Sequence, residues 1–169
     1  LLSYFEYSHS IFFAGFLNKE QTVSLLNFYS AHNLKLINLC DNFNWADLIN
    51  NIKVQFSNPN ICFTTPKVNL NKSDYLYEII NNASFALGDL TIIGHQKYLL
   101  NKSTLSTLRD FNANLINLGI IRLNSKITEP FLRSSNFIGI DCSVIKHAEF
   151  RSASLKNPNG LYSEDICQI

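Results

Sequence analysis

Methionine is absent from this sequence, and glycine, proline, cysteine and tryptophan are sparse: six, four, four and one in 169 residues. Few glycines mean few phosphate-cradling loops. The segment "FFAGFLNK" (12–19) has one glycine where a dinucleotide fingerprint or P-loop needs two or three, so neither nucleotide motif is present. Cys40, Cys62, Cys142 and Cys167 lie far apart, without the close pairs of a zinc ribbon or a redox motif. They predict reduced structural thiols and a cytoplasmic setting. Charge is also low, at 16% of residues, with a formal net charge of +1 and no basic stripe, which excludes nucleic acid and membrane surfaces as electrostatic partners. No apolar run approaches the roughly 20 residues that span a bilayer, and no leader pattern opens the chain.

What is there is the balance of a globular core: 46% hydrophobic residues in a length of about one domain. The apolar run 10–15 reads as a strand. Asn18, with Gln21 three residues on, caps a helix whose stripe is Val23, Leu26 and Tyr29 or Ser30. Strands follow at 34–40, ending at Asp41, and at 61–65, stopped by Pro66. Ser73 is read as the cap of a helix through about Asn81, with Tyr75, Leu76, Ile79 and Ile80 as its apolar face, and 90–94 as a strand. Ser103 then opens what reads as the clearest helix, with Leu105, Leu108, Phe111, Leu115 and Leu118 at helical spacing and Gly119 as its stop. The remaining expectations are a strand over "IIRL" (120–123), a helix near 126–134 with Pro130 in its first turn, and a strand over 136–141.

Apolar strands separated by amphipathic helices predict an α/β fold, a three-layer α/β/α arrangement around a mainly parallel sheet. Ligands in such sheets gather beyond the carboxyl ends of the strands. That points to Asp41 and Asp141 as candidate metal ligands, because carboxylates at strand ends can converge on a divalent ion. His95 and His147 are candidate ligands or general acids. Each acid has a plain alternative as a helix cap or loop acceptor, and each histidine as a loop residue. Ser143 lacks the glycine-flanked elbow of a hydrolase serine and is set aside. A receiver-like module with Asp41 as acceptor ranks last, since it wants a second acidic cluster and a late lysine.

Two stretches carry a resemblance. They are "IIGHQKYLL" with "ITEPFLRSSNFIGIDCSVIKHAEF", and then "NPNGLYSEDICQI", where Pro158, Asn159, Gly160, Leu161 and Tyr162 look like a Pro-Gly-Gly-Leu-Thr segment. The chain resembles the ureohydrolases, the arginase, agmatinase and formimidoylglutamase family, and within it a divergent arginase-like branch found in Bacteroidetes. The match covers roughly 85–169 and only the pattern of 10–45. The resemblance implies an arginase-like sheet, incomplete here, and a single domain over 1–169 that is a fragment of a longer chain; the start on Leu1 and the stop within "SEDICQI" agree with a fragment or an eroded gene.

The family implies two manganese ions held by three motifs. The first, Gly-Gly-Asp-His, falls on Ala14, Gly15, Phe16 and Leu17, losing its histidine. The second, Asp-Ala-His-x-Asp, falls on Asp41, Asn42, Phe43, Asn44 and Trp45, and the third begins at Gly139, Ile140 and Asp141; each keeps only its first aspartate. A metal pair about 3.5–4 Å apart that generates hydroxide needs more ligands than two aspartates. The expectation is therefore a ureohydrolase-like domain with degraded ligand motifs, little or no hydrolysis and no cofactor. The competing expectation is an active manganese hydrolase of linear amidine C–N bonds, acting on an amidine or guanidino substrate through Asp41, Asp141 and His95 or His147. In either case a sheet with uncovered apolar surface predicts a homo-oligomer.

Overall fold

The structure, a computed structural model, describes Ser24 and residues 56–71, 75–81, 86–153 and 155–169. The chain divides into two compact units, Leu1–Cys40 and Asp41–Ile169. In the first, Ser24 is helical and exposed; the strands and helix expected over 10–40 otherwise lie outside the described residues, as does Ser73.

The second unit is built on a parallel sheet. Among the described residues its strands are β1 (Ile61–Thr64), β2 (Leu90–His95), β3 (Asn114–Asn117) and β4 (Phe137–Ile140), in the order β3-β2-β1-β4. Every pairing is parallel, with Ile61 opposite both Leu90 and Phe137. The strands expected at 61–65, 90–94 and 136–141 are all present. β1 and β2 are buried along their whole length, as a sheet covered on both faces requires.

Alternation along the strands sorts their side chains into two cores. Ile61 and Phe63 of β1 join Leu90 and Ile92 of β2 on one face, under α1 (Tyr75–Asn81) and α2 (Lys102–Asp110), which contribute Leu76, Ile79 and Leu108. Cys62, Ile93 and Ile116 face the other way. There they meet Leu118 and Ile121 of α3 (Leu118–Leu123), with Phe131 and Leu132 of α4 (Glu129–Ser134) and Ile166 of α5 (Ser163–Gln168) packed alongside. Helices thus flank both faces, in three layers. Pro130 stands in the first turn of α4, as expected.

The long helix expected from Ser103 to Gly119 is not formed. Asn101, not Ser103, caps α2, its Oδ1 accepting the Thr104 N–H at 2.7 Å. The helix stops at Asn112, which has φ 57°. Ala113 N–H donates to the Leu108 carbonyl at 2.9 Å and Asn112 N–H to that of Arg109 at 2.8 Å, the paired closing bonds of a left-handed C-terminal cap. Leu115 and Leu118, which continue the helical spacing in sequence, sit instead in β3 and at the start of α3. Asn117 caps α3 by accepting the Ile120 N–H at 3.1 Å, so "IIRL" is helix rather than strand. No helix among the described residues is long and apolar enough to cross a membrane. Cys62 is buried as a structural thiol should be, its pKa pushed up to about 12 by desolvation, whereas Cys142 and Cys167 are exposed.

Candidate functional site

The four strands end side by side, so their following residues share one edge: Thr65 after β1, Gln96 after β2 and Asp141 after β4 are polar, while Leu118 after β3 enters the second core. Asp141 is held there by its own backbone, its N–H donating to the Thr64 carbonyl at 2.9 Å. Its Oδ1 accepts the Ser143 N–H at 2.8 Å and so caps the 3-10 turn Cys142–Val144. Its Oδ2 lies 3.1 Å from Thr65 Oγ1, whose single proton it shares with the Lys67 carbonyl at 3.0 Å. The cap and loop-acceptor role is therefore filled by this carboxylate. Thr65 is 2% exposed and was not singled out from the sequence. The available signal is a pair of threonines at the end of an apolar strand, Thr64 its last residue and Thr65 the next.

Neither candidate histidine hydrogen-bonds to the Asp141 carboxylate. His95 ends β2, separated from β4 by β1, and is buried. Desolvation holds its pKa below the ordinary imidazole value; nearby carbonyls of Ile92 and Ile116 oppose this, without completing a hydrogen bond to Nδ1, and Lys97 adds to the lowering. His147 is half-buried, anchored by its N–H to the Asn157 carbonyl at 2.8 Å, and its Nδ1 is also without a hydrogen-bond partner. Asp41 lies outside the described residues. Thr64 Oγ1 and Gln96 Nε2 are further buried polar atoms lacking partners near the same strand ends.

Among the described residues, no group of three or more His, Cys, Asp or Glu is placed to hold a metal ion. The residues immediately following the four strands supply one carboxylate, both oxygens of which already accept hydrogen bonds. The described residues therefore do not by themselves fit a manganese pair, which needs several anionic or imidazole ligands per ion. What the arrangement does is fix the chain leaving β4.

Beyond Asp141, Val144 and Ile145 enter the second core, and Ile145 pairs with Leu161 through Leu161 N–H to the Val144 carbonyl at 2.8 Å and Lys146 N–H to the Leu161 carbonyl at 2.9 Å. Glu149 Oε2 accepts both the N–H and the hydroxyl of Ser163, which hold its carboxyl below the ordinary range. The segment resembling Pro-Gly-Gly-Leu-Thr is thus tied beneath the loop that carries Asp141.

Two measurements test this local account. Asp141→Ala removes the cap and the Thr65 acceptor, and should lower stability by about 1–2 kcal/mol, read as a reduced urea midpoint; an unchanged midpoint would show that neither bond matters. For His95, the unfolded chain takes up a proton as pH falls below about 6.5 while the buried ring resists it. Stability contributed by the neutral ring is therefore full above that pH, and is lost on acidification until the lowered folded-state value is passed. Urea midpoints at about pH 7.5 and 5.5 should differ less in His95→Gln than in the parent chain.

No family model and no curated protein matches the sequence. Solved structures do. Formimidoylglutamase from Bacillus subtilis subsp. subtilis str. 168 superposes with a TM-score of 0.70 at 16% identity, covering 88% of this chain and 51% of that one. A quadruple mutant of T. brucei arginase-like protein gives 0.58 at 14% identity, over 74% of this chain and 41% of that. A triple mutant of the same protein, with two serines changed to aspartate and an arginine to histidine, is bound with Mn2+ and also gives 0.58 at 14% identity, over 74% and 42%. The fold is therefore arginase- and formimidoylglutamase-like, and this chain spans about half the length of the first of these structures or less of the others.

Proposed function

We propose that this chain is a ureohydrolase-like domain, related to the hydrolases of linear amidine C–N bonds, in which degraded metal-ligand motifs leave little or no hydrolysis. Asp141 carries this reading. It stands after the strand where the family's third motif begins, yet its carboxylate is spent on the Ser143 N–H and the Thr65 hydroxyl. A backbone amide and an alcohol donate where a cation would otherwise be held. Ser143 supports it too, being neutral two positions past the surviving aspartate. In the T. brucei arginase-like protein, the mutant bound with Mn2+ is one given two aspartates and a histidine. The divergent branch, a cytoplasmic setting and self-association through the uncovered Ile138 and Ile140 face of β4 belong to the same reading, the last readable as a multimer mass by light scattering.

The test is to incubate the purified chain with Mn2+ and assay arginine, agmatine and formiminoglutamate for release of urea or formamide. No turnover is expected. Turnover lost in Asp141→Ala or Asp41→Ala would overturn the reading and establish the alternative, an active manganese hydrolase with altered ligation. One observation favours that alternative: the unpartnered Nδ1 atoms of His95 and His147. It requires Mn2+ to raise the melting temperature, since a ligand that binds only the folded state stabilises it.

A further inference from the structure

A cleft of about 460 Å³ opens between α2 and β3, lined by residues other than Asp141. Its walls follow from the periods of the elements. Leu105 and Arg109, four apart on α2, project to one side, while Ala113, Leu115 and Asn117 alternate onto one face of β3 and the residue before it. His95 and Lys97, from the end of β2, complete the lining.

The charge in this cleft is of one sign. Lys97 and Arg109 carry it, no carboxylate lines the space, and neither cation has an ion pair or side-chain hydrogen bond among the described residues. Asn117 Oδ1 is engaged by the Ile120 N–H, which leaves its Nδ2 donor without a partner among those residues. Buried His95 adds a ring whose Nδ1 is unpartnered. The floor is apolar: Leu105, Ala113 and Leu115 all pack against the first core. Cationic donors over an aliphatic floor, in a volume within the usual range of small-molecule sites, select a ligand with an acid head and an apolar body.

We propose that this cleft binds a small organic carboxylate, its acid group taken by Lys97, Arg109 and Asn117 Nδ2 and its aliphatic body laid on Leu105 and Leu115. The site is independent of the reading carried by Asp141, because the groups that take the ligand, Lys97, Arg109, Asn117, Leu105 and Leu115, have no part in any hydrolase role; His95, which has, only borders the cleft.

Hexanoate is the probe, titrated into the full ¹⁵N-labelled chain and followed by amide shifts, with hexanol and inorganic phosphate as separate arms. Saturable shifts confined to 95–97, 105–109 and 113–117 are expected with hexanoate alone. Arg109→Ala and Lys97→Ala, both at exposed positions, should each weaken binding about ten-fold, the equivalent of one lost charge-assisted bond. Unchanged amide positions elsewhere verify that each variant is folded. The proposal is overturned if hexanoate produces no saturable shift, if phosphate produces the same shifts at the same concentration, or if hexanoate binds both variants as it binds the parent.

Discussion

Gly94→Ala should lower folding stability by about 2–5 kcal/mol. Gly94 has φ +81°, and a Cβ built on it would stand 2.7 Å from Val144 Cγ2. The backbone term alone is about 1–2 kcal/mol for a side chain in the left-handed region. Overfilling a packed core adds about 1–3 kcal/mol. Val144 cannot retreat cheaply, because it is fully buried and its carbonyl and N–H are both engaged, by Leu161 and Asp141. The irregular residue also sets the register between Ile93 and His95, which lets His95 rather than Gly94 pair with Asn117. A urea midpoint lowered by about 1 M or more is expected, given the usual denaturant slopes. An unchanged midpoint would mean that the strand end relaxes without strain.

Phe63→Ala should be of similar size, about 3–5 kcal/mol. Phe63 lies on β1, with β2 on one side and β4 on the other, and is 1% exposed. Its ring meets Phe137 of β4 edge to face, with centroids 5.7 Å apart at 65°. Removing it leaves a cavity where α1, α2 and the sheet all meet, and takes away one half of the aromatic pair that ties β4 to the sheet. For a chain of this length the melting temperature should fall by on the order of 10 °C. Leu123→Ala is the comparison: at 89% exposed, Leu123 should change stability by no more than about 0.5 kcal/mol. Equal effects for the two would contradict the placement of the core.

The long helix that the spacing predicts from Ser103 shows how far pattern reaches. Leu105, Leu108, Phe111, Leu115 and Leu118 do repeat at helical intervals, but only Leu105 and Leu108 lie in α2, with Phe111 at its C-terminal cap. Asn112 breaks it. Asparagine tolerates the left-handed conformation less readily than glycine, so the signal in "FNAN" is weaker than that of Gly119, and the stronger punctuation drew the boundary seven residues late. β3 then forms because β2 offers an open edge beside it, a circumstance absent from the local sequence. Thr65 was missed for a related reason: its importance comes from Asp141, 76 residues away.

By itself the sequence determined the kind of molecule. Its largely apolar runs at 61–65, 90–94 and 136–141 read as strands of one sheet, the first two covered on both faces, and the helices between them force those strands parallel. Composition likewise withheld a phosphate loop and a cationic surface. Only the tertiary structure decided what the surviving polar groups do. Strand order places β1 beside β4 and so gives the Asp141 carboxylate a hydroxyl for a neighbour, and the packing of α2 against an edge strand gathers Lys97 and Arg109 around one cleft. The physical reason is range: burial acts on each segment according to its own hydrophobicity, whereas a hydrogen bond or a charge acts within a few ångströms, on partners that the chain's crossovers alone select.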